Sequence, residues 1–280
     1  MTDSPKPAPR KPRWKRWLKR LGWTALTREP SPRLEQCELT LLTRQAIDVS
    51  RAIAQHAEYR AALARLGCRV VELPALPDMP DGVFVEDTAV VLDEIAILTR
   101  PGAQSRRPEV ESVELALREH RPIARIDAPG ILDGGDVLCV GKSIYVGRST
   151  RTDTFAIEQF EGIVAPHGYE VTAVDVTGCL HLKTAATYAG RDTVIVNPEW
   201  IRPELFARHA VVEVADGEPN AANVVVIGDA MLCSAASPRT NEILADRGFQ
   251  LQVVASDEVA KAEGALTCCS LVFRDLVMEA

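Results

Sequence analysis

The sequence predicts an α/β chain built from a strand-and-helix unit repeated five times and closed into a ring, as in propeller-like architectures. Three observations carry this. A unit of short apolar strand, polar turn, second strand, Arg/Ser/Pro-rich loop, helix, Gly or Pro, and third strand recurs. Its copies start near residues 88, 136, 184, 223 and 266, spaced 48, 48, 39 and 43 residues apart. The last copy lacks its helix, and the missing half stands at the other end of the chain, so the first segment completes the last unit and leaves no sheet edge bare.

Each element follows in order. Residues 1–12 are rich in Pro and Lys and are expected to be disordered. Trp14, Trp17, Leu18 and Leu21 then recur at helical spacing among Lys15, Arg16, Lys19 and Arg20, with Gly22 as a stop. That pattern predicts an amphipathic basic helix able to lie on an anionic membrane or an acidic protein surface, with a solubilising extension as the plain alternative. Residues 1–23 are therefore read as a leader and 24–280 as one catalytic domain. The half-unit comprises a strand at Leu39–Leu42, a helix near 47–66 and a strand at Cys68–Leu73. The first full copy has strands at Thr88–Leu92 and Ile95–Thr99, a helix near 108–119 and a strand at Ile123–Ile126. The second runs from Asp136 through Ile144–Gly147 and a helix near 152–166 to Tyr169–Val171. The third begins near Thr184, and the fourth has Val224–Ile227, a helix near 238–247 and Phe249–Val254.

Composition narrows the function. With 280 residues, 46% of them hydrophobic, the chain can bury a large core. No apolar run approaches the roughly 18 residues of a membrane span, and none near the start resembles a secretory segment, which predicts a cytoplasmic protein. The net charge of −7 divides into +7 over residues 1–23 and −14 over the remainder. An acidic body argues against a nucleic-acid enzyme. Seven cysteines, odd in number and without a Cys-x-x-Cys pair, read as buried hydrophobes in a reducing compartment rather than a disulfide framework. A zinc site from Cys268, Cys269 and His181 is disfavoured, because adjacent side chains on a strand point to opposite faces. Neither metal nor cofactor is expected.

Cys268, His181, Asp133 and the pair Glu86-Asp87 all fall at or just before the first strand of a copy. In a closed ring those positions converge at one end of the central channel. Taken singly, each has a bland reading: Cys268 as core, His181 as a satisfied structural residue, Asp133-Gly134-Gly135-Asp136 as a turn capped by Asp136. Together they describe a thiol with a nearby base, which can be activated as a nucleophile, beside carboxylates suited to a cationic substrate.

These residues lie in recognisable motifs: Pro80-Asp81-Gly82-Val83-Phe84-Val85-Glu86-Asp87, Thr99-Arg100-Pro101-Gly102-Ala103 with Ser105-Arg106-Arg107, Leu132-Asp133-Gly134-Gly135-Asp136-Val137-Leu138, Ser149-Thr150-Arg151-Thr152, His181-Leu182-Lys183 and Leu266-Thr267-Cys268-Cys269-Ser270. Over about residues 24–275 the sequence resembles the dimethylarginine dimethylaminohydrolase family of the guanidino-group-modifying (pentein) superfamily. The resemblance implies a five-bladed α/β propeller and hydrolysis of N-methylated arginine to citrulline and (di)methylamine through a covalent cysteine adduct. It implies Cys268 as nucleophile, His181 as acid/base and Asp133 as the carboxylate that orients it. Glu86 and Asp87 become guanidinium contacts, Asp81 the α-amino contact, and Arg106 and Arg151 the α-carboxylate contacts.

Departures from the family pattern bear on substrate choice. The segment that covers the substrate in relatives is shortened between Leu39 and Ile47, and Ala265 replaces a larger apolar residue. Deiminases of the superfamily carry an Asp two residues after the histidine, where this chain has Lys183, which disfavours unmethylated arginine. The competing readings are a hydrolase of the same mechanism on arginine or another guanidino compound, and a non-catalytic amino-acid-binding homologue.

Overall fold

The computed structural model describes residues 18–278. Five three-stranded sheets stand around a central channel as a five-bladed α/β propeller. In chain order the elements are β1 (Leu18–Thr27), α1 (Val49–Arg65), β2 (Cys68–Glu72), β3 (Ala89–Val91), β4 (Ala96–Leu98), α2 (Glu109–Leu117), β5 (Ile123–Arg125), β6 (Val137–Val140), β7 (Ser143–Arg148), α3 (Thr154–Val164) and β8 (Glu170–Asp175). There follow α4 (Leu182–Ala185), β9 (Ala186–Gly190), β10 (Thr193–Val196), β11 (Ala210–Glu213), β12 (Val225–Ile227), β13 (Ala230–Ser234), α5 (Pro238–Asp246), β14 (Gln250–Val254), α6 (Asp257–Ala260) and β15 (Leu271–Met278).

Every blade repeats one topology. The inner strand pairs antiparallel with the middle one, which pairs parallel with the outer one, as in β3-β4-β5 and β6-β7-β8. A parallel return needs a crossover, and the helices supply it. Helix α3 starts where the Asp153 carboxylate accepts from Ala156 N at 2.8 Å, and it buries Ala156, Ile157, Phe160 and Val164 against its blade. Helix α1 is capped by Asp48 and turns Ala52, Gln55, His56, Tyr59, Ala62 and Leu63 inward, one face repeating at steps of three and four. Middle strand β10 is buried at all four positions, as a strand covered on both faces should be.

Closure is made differently from the sequence reading. The fifth blade is β15-β1-β2, and β1 pairs with both the last strand and β2. Residues 39–42, expected as the closing strand, form a loop; their apolar side chains at Leu41 and Leu42 face solvent. The boundary expected between residues 23 and 24 falls inside β1. The helix expected over 14–21 is strand from Leu18 onward; Trp14 and Trp17 lie outside the described residues. Tertiary pairing overrides local periodicity here, because β15 and β2 each present a free row of backbone donors and acceptors that only an extended segment can satisfy. The register shift between Arg20 and Trp23 brackets Gly22, which marks a bulge rather than a helix stop. In the 39-residue copy the helix is reduced to a short turn, Pro203–Phe206. Among the described residues, no helix is long and apolar enough to cross a membrane.

Candidate active site

A short turn precedes each inner strand: Val85–Thr88, Gly134–Asp136, α4, Pro219–Ala222 and Thr267–Cys269. Turns rather than strands supply the site, so Cys268 and Cys269 sit on a helical turn and not on the strand expected from sequence. They still point apart. Cys268 lines a cavity together with Asp81, Asp87, Arg106, Arg151 and His181, whereas Cys269 is buried in the core with its thiol toward Ala265 O.

His181 Nε2 donates to Asp133 Oδ2 at 3.0 Å, and its Nδ1 lies 4.0 Å from Asp87 Oδ1. Asp133 is fully buried behind the ring, with its other oxygen accepting from Gly102 N at 2.9 Å. Asp136, read as a turn cap, does more. It accepts from Leu182 N at 2.9 Å and from the Ser149 and Thr152 hydroxyls, so it holds the backbone beside His181. The two glycines between these aspartates answer to crowding. A Cβ at Gly134 would lie 2.0 Å from Glu86 O, and one at Gly135 would lie 2.7 Å from His181 Nδ1 and 2.8 Å from Asp87 Oδ1. Neither glycine needs a left-handed backbone. Each is there because two blades approach too closely for any side chain.

Charge is distributed unevenly over this cluster. Burial would raise the Asp87 carboxyl, but His181 and Arg106 hold it down to about 2. Burial would lower His181, yet Asp87, the Asp133 bond and Asp136 push it up to about 9. Burial, together with Glu86, Asp87 and Cys269, drives the Cys268 thiol well above its ordinary range, even though the side chain keeps some exposure to the cavity. At neutral pH the resting site is thus a thiol, an imidazolium and a carboxylate. Asp81, which lines the same cavity, is raised to about 6, by burial against the pull of Arg106.

Two expected contacts are placed otherwise. Arg106 is buried, and it gives Nε and Nη2 to Glu109, Nη1 to Asp87 at 2.6 Å and Nη2 to Phe84 O. Among the described residues one Nη1–H remains uncommitted, so Arg106 chiefly holds Asp87 ionised and cannot offer a bidentate fork. Arg151 is freer: it spends one Nη2 donor on Thr40 Oγ1 at 2.8 Å and stands 3.8 Å from Asp133. Glu86 does not line the cavity. Its carboxylate accepts from Lys183 Nζ and from Thr267 Oγ1, and these three residues line a second cavity of about 410 Å³, walled by the inner strands.

Sequence reasoning missed the residues that brace this layer. Asn223, at the head of the fourth copy, accepts from Thr267 N at 2.9 Å and donates to Thr267 Oγ1 and Lys183 O. It thereby ties the His181 segment to the Cys268 turn, and its place in the repeat was the available signal. Glu109 was legible as the partner three residues from Arg106. Arg28, fully buried, donates to Pro74 O, Gly82 O and Ser112 Oγ and so pins the segment carrying Asp81. Nothing local announces that role. The ligand atoms of Asp87, Asp133 and His181 lie close enough together to surround a cation, but the hydrogen bond between His181 and Asp133 already pairs them as an acid/base unit.

Comparison with known proteins identifies relatives that match most of the chain. A family model described as N,N dimethylarginine dimethylhydrolase, eukaryotic, matches residues 38–232. The N(G),N(G)-dimethylarginine dimethylaminohydrolase of Streptomyces coelicolor is 42% identical over 255 residues, covering 90% of this chain and 97% of the relative. Its counterpart from Pseudomonas aeruginosa is 34% identical over 228 residues, covering 81% of this chain and 90% of the relative. A solved Pseudomonas aeruginosa structure, a cysteine-to-serine variant complexed with citrulline, superposes with a TM-score of 0.86 at 32% identity, covering 90% of this chain and all of that one. The N-terminal domain of a cyanobacterial arginine dihydrolase shares the fold at a TM-score of 0.78 and 18% identity, covering 90% of this chain and 97% of that one.

Proposed function

The chain belongs to the dimethylarginine dimethylaminohydrolase family, and from that premise we propose that it hydrolyses N-methylated arginine to citrulline and methylamine or dimethylamine. The observation that carries the reading is one small cavity lined by a thiol, an imidazolium and an ionised carboxylate together with Asp81 and Arg151. That set of charges suits a guanidinium and an amino-acid head group on one molecule.

Asp87 receives the guanidinium, whose positive charge beside Cys268 lowers the cost of forming the thiolate, the thiol proton passing to solvent. The thiolate adds to the central carbon, making an S–C bond and a tetrahedral adduct. His181 gives its proton to the methylated nitrogen, the C–N bond breaks, and the amine leaves a thiouronium. Neutral His181 then takes a proton from the attacking water. The water oxygen bonds to the central carbon and the C–S bond breaks. The departing thiolate takes up the proton of the new hydroxyl as the citrulline carbonyl forms, and citrulline departs with thiol and imidazolium restored. Asp133 keeps the ring aimed throughout, a positioning task. Arg151 holds the α-carboxylate and Asp81 the α-ammonium, with Arg106 contributing its one spare donor.

Preference for methylated substrate is supported by Lys183. By pairing with Glu86 it leaves Asp87 as the carboxylate beside the thiol, so one edge of the guanidinium is gripped and the other is left free for methyl groups. We place the activity in one propeller domain, since the turns that build and brace the site come from all five blades. A cytoplasmic setting is part of the proposal, supported by seven free cysteines. The test is incubation with asymmetric dimethylarginine, monomethylarginine, arginine and agmatine, with citrulline and released amine measured. Faster turnover of arginine would make it a deiminase, and no product from any of the four would make it a binding homologue.

A further inference from the structure

The loop over residues 38–47, without helix or strand, borders the active-site cavity, which in this state encloses only about 20 Å³. That is room for about one water molecule, so a methylarginine enters only if the loop lifts. Among the groups that hold the loop, one side chain takes three of its backbone donors. Glu263 accepts from Thr40 N at 2.8 Å with Oε2, and from Leu41 N at 2.6 Å and Leu42 N with Oε1. Three consecutive backbone donors converge on one carboxylate, although Leu41 and Leu42 themselves are 55% and 47% exposed and add little packing.

The conformation of Glu263 is also unusual. Its φ of 57° lies in the left-handed region, at the end of the helical turn α6, where glycine is the ordinary occupant. The next position cannot relieve it, because a Cβ on Gly264 would lie 2.2 Å from the Phe84 ring. A residue with a Cβ is thus held in a strained backbone that aims its carboxylate at the loop. Ser105 Oγ also donates to Glu38, Arg44 donates to Glu35 O and Cys37 O, and Ile47 and Leu39 pack on the core. Two further loop contacts fall on groups assigned to the substrate's head group: Glu38 N donates to Asp81 at 3.1 Å, and Arg151 donates to Thr40 Oγ1.

We infer that Glu263 is a positioning residue for the reaction, latching the 38–47 loop over the cavity through the backbone of Thr40, Leu41 and Leu42. Because the loop borrows Asp81 and Arg151 while closed, substrate competes with those two contacts, whereas the Glu263 contact uses no group assigned to the substrate and can form again over it. The inference rests on the proposed hydrolase reading for its kinetic consequence, but not for its structural one.

The test pairs two readouts on Glu263→Gln, Glu263→Ala and Glu263→Gly. Arg44 is exposed within the loop, and trypsin requires a locally unfolded segment, so cleavage after Arg44 in the substrate-free protein reports loop opening whatever the substrate is. Cleavage should accelerate about tenfold in Glu263→Gln and further in Glu263→Ala, as a charged acceptor is replaced by a neutral one or by none. Glu263→Gly should open the loop like Glu263→Ala while melting no lower than wild type, because it relieves the backbone strain. With methylarginine, KM should rise about tenfold with kcat unchanged or higher, and Glu263→Asp should restore part of the affinity. Unchanged trypsin cleavage in Glu263→Gln and Glu263→Ala overturns the latch. Faster cleavage with kcat reduced and KM unchanged also overturns it as stated, because Glu263 would then act on the chemical step. If wild type turns over no guanidino substrate, the hydrolase reading fails while the cleavage series still decides the latch.

Discussion

The two ends of the central channel are built by the same five blades and have opposite characters. At the turn end, a cavity of about 20 Å³ is lined by Asp81, Asp87, Arg106, Arg151, His181 and Cys268. At the strand end, a cavity of about 410 Å³ is walled largely by apolar residues such as Val90, Val137, Leu138 and Val225. The layer of Glu86, Lys183 and Thr267 lies between them. The comparison teaches that chemistry sits where the backbone is irregular. Inner strands alternate their side chains and must bury apolar ones between blades, while turns can converge charged groups from several blades on one point.

The contrast breaks most sharply at the adjacent cysteines. Cys268→Ser should reduce kcat by roughly three orders of magnitude or more, measured as citrulline release, while Cys269→Ser keeps most of it. Comparable losses in both would mean that the two thiols are not divided between cavity and core. Next comes Gly135→Ala, whose methyl must displace His181 or Asp87. We expect a kcat reduced by about 100-fold or more with cooperative thermal unfolding retained, since the disturbance is confined to the acid/base pair. Near-normal turnover would show that the blades can separate there at no cost.

Lys183→Met tests the layer between the cavities. It leaves the buried Glu86 carboxylate without its cation and should cost about 3–5 kcal/mol in denaturant unfolding at neutral pH. Burial already holds Glu86 above its usual range, so the deficit should shrink as the pH falls and Glu86 takes up a proton. A pH-independent loss would point to packing instead.

The titrating groups give smaller, signed effects. His181 is raised to about 9 in the folded protein, against about 6.5 unfolded, so its contribution to stability is complete below about pH 6.5 and is lost as the pH rises toward 9. Turnover should fall through the same upper limit as the proton for the leaving amine is lost, and His181→Ala should abolish both trends. Asp81, raised to about 6, loses its charge below that pH, so KM for amino-acid substrates should climb as the pH drops through 6. A flat KM would remove Asp81 from α-ammonium recognition. The smallest effect belongs to the strand end: Tyr188→Phe, in the larger cavity, should leave kcat/KM within about twofold, as an alteration outside the reacting groups should.

The chain's own order of residues determined the repeat, the five starts and the gathering of Asp87, Asp133, His181 and Cys268 at one end of a ring. Those features are legible because apolar alternation and turn residues are local, and a repeat reads the same in every copy. What closes the ring was not local. Leu18–Leu21 carry a helical apolar pattern, yet they lie in β1 because two strands distant in sequence need its backbone. The same holds inside the site. Arg106 looks like a free fork in the sequence and becomes the partner of Asp87 and Glu109, and Glu86 turns from the substrate to Lys183. Residue type says which charges are present. Only the packed structure, where each buried charge must find a partner, decides which of them remain available to a substrate.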